Sequence, residues 1–251
     1  MLARALLDSR LFDRRLFAGF MIAACVLVTV GCSGRHSTSA LAKILAVDDD
    51  ASADSATAAT TVRSLRPGQF FSRGQMLRLS PGKKATVAFT PGIMITVFNQ
   101  AEIKIDRFVV AKDGNETGYD AMERDVQINL TGGSLIAALA ADALRSRFLI
   151  TTRHGTLSTE SGSLFYLDDS AERLRVTCVR GTVRLGTGPQ SGMTIFSGQW
   201  IAWRAGSQSE PRTVSTDPRA QEDVTLALEA EASMQTLVLA EQKVVPSWRH
   251  P

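Results

Sequence analysis

The stretch Leu174-Arg-Val-Thr-Cys-Val-Arg-Gly-Thr-Val-Arg-Leu185 constrains the fold more than any other part of the 251-residue chain. Leu174, Val176 and Cys178 alternate with Arg175 and Thr177. A period of two places apolar side chains on one face of a β-strand and polar ones on the other. Beyond Gly181 the apolar positions are Val183 and Leu185, so the parity has slipped by one. Such a slip turns a strand inside out unless a bulge or tight corner absorbs it. Val179-Arg-Gly181 is the place for that corner, because Gly tolerates positive φ.

The same grammar of short strand, Gly corner and short strand recurs from Leu65 to Ala205. Ala85–Phe89, Ile93–Val97, Ile103–Ile105, Val126–Leu130, Phe148–Thr152 and Leu164–Tyr166 alternate in the same way. Pro67-Gly68, Arg73-Gly74, Pro81-Gly82, Pro91-Gly92, Asn99-Gln100, Gly132-Gly133, His154-Gly155 and Ser161-Gly162 punctuate them. Turn signals every 8–12 residues predict an all-β antiparallel sandwich or barrel. Two stretches stand outside this grammar. Leu135–Leu144 is Ala-rich and reads as a short helix or an insertion on the strand framework. Gln221–Lys243 contains no Gly or Pro, and Val224, Ala227, Leu228, Met234, Leu237 and Val238 recur at helical spacing. An amphipathic C-terminal helix is expected there, capped by Asp217 with Pro218 at its first position.

The front of the chain sets its address. Leu16–Val30 is an uncharged apolar run of 15 residues behind Arg4, Arg10, Arg14 and Arg15. That is the layout of a secretory signal, too short for the roughly 20 residues of a membrane span. It ends in Thr29-Val-Gly-Cys32-Ser-Gly, which resembles the lipobox of bacterial lipoproteins; the resemblance implies lipid on Cys32. The other reading is an uncleaved N-terminal anchor. Either way the body of the protein is expected in the cell envelope, as a periplasmic or outer-membrane lipoprotein. The resulting division is a signal peptide over 1–31, a flexible Ser/Thr/Ala/Asp-rich tether over 32–61, a β-domain over 62–205, and linker, helix and tail over 206–251. Within the tether, Ala40–Val47 reads as a short strand or one helical turn.

Net charge is +3, and without the leader 24 basic residues face 23 acidic ones. A nearly neutral body lacks the positive excess of a phosphate-backbone binder, so nucleic acid is not an expected partner. With Cys25 in the leader and Cys32 lipidated, Cys178 stands alone and is expected to be a small buried apolar residue.

From Leu65 to Arg204 the chain resembles the FecR domain of bacterial envelope proteins. The resemblance is carried by Gly74 through Leu79-Ser-Pro-Gly82, Ala85–Phe89, Pro91-Gly92-Ile93, Val126–Gly133, Phe148–Thr152, Ser161–Phe165, the Gly181 segment and Ser197-Gly-Gln199. It implies an extracytoplasmic, jelly-roll-like β-sandwich that contacts partner proteins or transmits a signal. The best-known members regulate a sigma factor through a cytoplasmic segment, and the family supplies no catalytic residues. About 15 residues precede the apolar run here, too few for a sigma-binding bundle.

No other constellation announces chemistry. His36, His154 and His250 share no metal-ligand spacing, and Asp48-Asp-Asp50 lacks the calcium-loop pattern. Asp168-Asp169 reads as a surface turn whose two carboxylates point to opposite faces. Trp200 and Trp203 are the candidates for a sugar- or peptide-stacking platform. Asn115-Glu-Thr117 and Asn129-Leu-Thr131 match a glycosylation sequon without a role in a bacterial lipoprotein. The expectation is a non-enzymatic module without cofactor or metal that binds another envelope protein or a cell-wall polymer. The alternative is a FecR-type regulator of transmembrane signalling with an uncleaved anchor; an envelope enzyme is a third class.

Overall fold

A computed structural model describes residues 36–48, 52–55, 63–89, 92–112, 122–141, 146–188, 191–204 and 209–244. The first strands are β1 (His36–Ser39), β2 (Ala42–Val47), β3 (Ser52–Ser55), β4 (Arg63–Ser64) and β5 (Phe70–Phe71). They are followed by β6 (Gln75–Arg78), β7 (Lys84–Phe89), β8 (Ile93–Phe98) and β9 (Glu102–Lys112). Next come β10 (Met122–Leu130), β11 (Gly133–Leu139), β12 (Arg147–Thr152), β13 (Gly155–Thr159) and β14 (Leu164–Asp169). The series closes with β15 (Leu174–Arg180), β16 (Thr182–Gly188), β17 (Ser191–Phe196), β18 (Gln199–Trp203) and β19 (Arg212–Thr213). One helix, α1 (Pro218–Val244), ends the described chain.

The strands form two sheets. The front sheet runs β17-β16-β13-β12-β10-β9-β6-β3-β4, with β1 beside β9. The back sheet runs β19-β18-β15-β14-β11-β8-β7-β2-β5. Among the described strands only β10 and β12 pair in parallel; every other pairing is antiparallel. The fold is therefore an all-β sandwich with a C-terminal helix. Inward faces carry the alternating apolar residues, including Val126, Ile128, Phe148 and Ile150 from the front and Val87, Ile95, Leu135 and Val176 from the back. All eight are at most 1% exposed.

The parity slip at Gly181 is a change of sheet. β15 lies in the back sheet and β16 in the front, so Cys178 and Val183 both point inward although their sequence parity differs. Gly181 has φ of 79°, and a Cβ on it would stand 2.4 Å from Ser163 Oγ. Asn99 and Gln100, at φ 59° and 62°, make the same crossing from β8 to β9. Gly132 and Gly133 make the reverse crossing from β10 to β11.

The pairing scheme occurs twice. In β6 to β11 the pairs are β6·β9, β7·β8, β9·β10 and β8·β11. In β13 to β18 they are β13·β16, β14·β15, β16·β17 and β15·β18. The two units stand side by side in the same orientation, because the strand order within each is the same.

Three expectations need correction. Residues 36–48 and 52–55 are part of the sandwich rather than tether: Ala42 and Ile44 of β2 are fully buried between β5 and β7. Leu135–Leu139 is a central strand, not a helix or insertion. Its run is continuously apolar because both faces are covered, the inner by the front sheet and the outer by α1. Such runs lose the period-two signature that identifies a half-exposed strand. Leu228 of the helix is 49% exposed, since the stripe that meets the sheet is Ala220, Asp223, Ala227 and Met234.

The corner geometry sets a stability test. Gly181→Ala should cost about 2–4 kcal/mol, from positive φ plus overlap with Ser163. Gly82→Ala, at φ 71° with nothing within 4 Å, should cost only about 1–2 kcal/mol. Urea unfolding of the two variants measures the difference.

Candidate functional site

The outer face of the back sheet is where polar chemistry gathers. β15 projects Arg175 and Thr177 outward, and β18 places Trp200 directly opposite Thr177. Asp223, on the first turns of α1, accepts hydrogen bonds from Arg175 Nε at 2.7 Å and Thr177 Oγ1 at 2.8 Å. Both ionic side chains are nearly inaccessible, at 4% and 5%. Asp217 caps the helix, accepting from the Ala220 amide at 2.8 Å and from Arg175 Nη2 at 3.2 Å. The Ala220 amide, joined by Arg175, holds the Asp217 carboxyl below the usual carboxylate range. Arg175 also lies 4.3 Å over the Trp200 ring, with Arg212 on it at 5.9 Å.

Along α1 the grip changes character. Ala227 and Met234 pack on Ile136, Ala138, Leu164 and Tyr166. Arg180 donates to both carboxylate oxygens of Glu231, at 2.6 and 3.3 Å. Burial pushes the Tyr166 hydroxyl above its ordinary pKa, while its contact with Ser134 Oγ acts in the opposite direction.

Beside the helix the cover stops short of the sheet edge and leaves a cleft of about 360 Å³. Its floor is Phe98, Ile136, Thr86 and Thr96, and its helical wall is Leu226, Ala230 and Ser233. The Thr86 and Thr96 hydroxyls share a hydrogen bond of 3.0 Å, so each is satisfied on the floor. Asp48, Lys83, Lys84, Asn99 and Glu229 form a rim of mixed charge. Leu226 is 44% exposed at the mouth. An apolar floor with satisfied hydroxyls and a balanced rim suits an apolar side chain entering with a polar backbone.

A second polar cluster ties three turns together. Asp169 Oδ2 accepts from the Gly132 amide at 2.9 Å and from Arg153 Nε at 3.2 Å. His154 Nε2 donates to the Ser170 carbonyl at 2.8 Å and stands 3.7 Å from Asp169 Oδ1. Trp203 Nε1 donates to the His154 carbonyl at 3.2 Å. The Ser170 hydroxyl donates to the Arg173 carbonyl rather than facing this His and Asp.

The residues singled out in the sequence fall as follows. Trp200 and Trp203 lie on opposite faces of the back sheet, Trp200 toward α1 and Trp203 toward the core. They form no common platform, because residues three apart on a strand have opposite parity. Asp168 and Asp169 do point apart, but Asp169 is 1% exposed at the end of β14 instead of lying in a surface turn. Cys178 is buried in the core, and desolvation pushes its thiol up to about 11. Cys32, the leader over 1–31, His250 and the Asn115 sequon lie outside the described residues. Among the described residues no group of three or more His, Cys, Asp and Glu gathers as metal ligands. No helix among them is long and apolar enough to cross a membrane.

The Arg175–Asp223 pair and the cleft were not found from sequence. Their members are up to 48 residues apart for the pair and further for the cleft. The one available signal was Arg175 and Thr177, a polar pair on a strand whose outer face is covered.

No family model matches the chain, and no curated protein matches it. Two crystal structures of a Parabacteroides distasonis protein, provisionally described as an anti-sigma factor, are similar to part of the chain, with TM-scores of 0.42 and 0.41. Sequence identity is 14% and 15%; each match covers 55% of this chain and spans 59% of the neighbour. Likeness at this level gives no basis for carrying over an activity or a partner.

The two ion pairs that hold α1 differ in worth. Asp223→Ala leaves Arg175 buried without its closest partner and should cost about 3 kcal/mol. Glu231→Ala frees the half-exposed Arg180 and should cost under about 1 kcal/mol. Urea titration followed by Trp fluorescence reads both, with Trp200 beside Arg175 as the local reporter.

Proposed function

We propose that this chain is a membrane-anchored, extracytoplasmic, non-enzymatic binding module of the FecR-like kind, and that its partner is another envelope protein. The observation that carries the reading is the cleft between α1 and the back sheet. Its apolar floor and mixed rim match a protein segment better than a polysaccharide. A sugar platform needs an open aromatic face, whereas Trp200 is 7% exposed and covered by Arg175 and Arg212. The nearly neutral body supports a protein partner over nucleic acid. The basic-then-apolar leader and Cys32 support lipid anchoring outside the cytoplasm.

The second reading is a regulator of transmembrane signalling with an uncleaved anchor. Thr29 favours it, since the lipobox usually has Leu or Val there. It keeps the same binding module and differs only at the front of the chain.

A photo-crosslinking residue at Leu226, introduced in cells, should give a discrete adduct with an envelope protein. Ser233→Arg, two turns further along the same helical wall, should remove that adduct. Equal adducts from an unrelated surface position would contradict the cleft as the site. Radiolabelled palmitate should enter the wild type and not Cys32→Ala, whereas an unprocessed N-terminus by mass spectrometry would decide for the anchor.

A further inference from the structure

The repeated pairing scheme identifies what one open sheet edge accepts. β10 and β17 hold equivalent places, each paired on one side to the strand before it, β9 and β16. The other edge of β10 is taken in parallel by β12, from Asp125↔Arg147 to Asn129↔Thr151. β12 thereby brings Phe148 and Ile150, 0% and 1% exposed, into the core. The corresponding edge of β17 bounds the front sheet among the described residues.

That end of the sandwich has the marks of an incomplete cover. Met193 on β17 and Trp203 on β18 are apolar, face the core and are only partly buried. Phe196 at the end of β17 is 56% exposed. In the back sheet, β19 pairs only with Gln199 and Trp200 of β18, so Ile201–Trp203, held by β15 on one side, have no described strand on the other. The edge also has backbone groups to offer. The Thr182 amide donates to Ser163 Oγ and the Phe196 amide to Gln199 Oε1, so Thr182↔Phe196 is a pair without ladder hydrogen bonds. By the alternation of an antiparallel ladder, Arg184↔Thr194 is another such pair, and the Thr194 N–H and C=O point outward. β17 carries neither Lys nor Pro, the usual guards of an exposed edge.

We propose that the β17 edge accepts an extended strand from a partner protein, added in parallel as β12 is added to β10. This rests on the reading of the chain as a binding module and names a second contact surface for it. The incoming strand is about five residues long, with apolar side chains at alternate positions. Those side chains cover Met193 and Trp203, as Phe148 and Ile150 cover the interior beside β10. A second copy of this chain fits the edge less well. Its counterpart of β12 is β3, whose two edges are already held by β6 and β4. Two β17 edges meeting about a twofold axis would run antiparallel.

The test uses the full chain purified in detergent and a fluorescent peptide with the β12 sequence Arg-Phe-Leu-Ile-Thr-Thr. The control peptide has Pro at alternate positions. The β12 peptide should bind at least tenfold tighter than the control. Thr194→Pro should weaken it at least tenfold while leaving the melting temperature within a few degrees, because edge strands tolerate Pro where the N–H faces outward. A cysteine at the peptide N-terminus should form a disulfide with Gly192→Cys and not with Phe196→Cys. Absence of binding at millimolar peptide, binding indifferent to Thr194→Pro, or the reverse disulfide preference would overturn the proposal. So would a Thr194→Pro-sensitive dimer in sedimentation, which would assign the edge to a second copy. Loss of the Leu226 adduct in cells with peptide binding intact would count against the cleft reading alone.

Discussion

Everything in this structure depends on two apolar sheet faces closing on one another while a single chain passes repeatedly between them. Each passage must reverse the direction in which alternate side chains point. The chain does this with left-handed residues at tight corners. At Gly133 a Cβ would lie 2.5 Å from the Ala101 backbone, and at Gly181 one would lie 2.4 Å from Ser163 Oγ. Corner packs against corner so closely at these two points that no side chain fits between them.

The second dependence is the cover on the back sheet. Its outer face is apolar across β8, β11 and β14, and α1 shields it with small residues and Met234. Alanines allow the helix to approach closely, and the buried Arg175–Asp223 pair sets its azimuth at the N-terminal end. A buried pair of this kind specifies position more than it stabilises. The same helix, by failing to reach β2 and β7 completely, creates one wall of the cleft. Fold and candidate site thus share one element, and a change that loosens α1 alters both.

How much of this was legible beforehand follows from physics. Wherever one face of a strand meets solvent or polar cover, the alternation shows, as at Val126–Leu130 and Leu174–Cys178, and those strands were read correctly. Where both faces are apolar, as at Leu135–Leu139, the pattern vanishes and a helix becomes as good a guess. For β2 the segment was legible and its place was not. Ala40–Val47 reads as a short strand or one helical turn, but the Ser/Thr/Ala/Asp-rich surroundings assign it to a tether, whereas Ala42 and Ile44 are sealed by neighbours distant in sequence. The candidate site was the least legible part. Trp200 and Trp203 drew notice as aromatics, but strand parity sends them to opposite sides, and the cleft is assembled from strands and helix up to 187 residues apart, Ala46 to Ser233.

Amide hydrogen exchange on the full chain, resolved by peptide mass spectrometry, tests the central claim most directly. If two facing sheets form one cooperative interior, peptides containing Ile93–Phe98, Gly133–Leu139 and Leu174–Arg180 exchange slowest, together, and by global opening. Peptides from α1 then exchange faster, since one face of the helix is open to solvent. The account is contradicted if α1 is the most protected element while those three strands exchange freely or independently of one another.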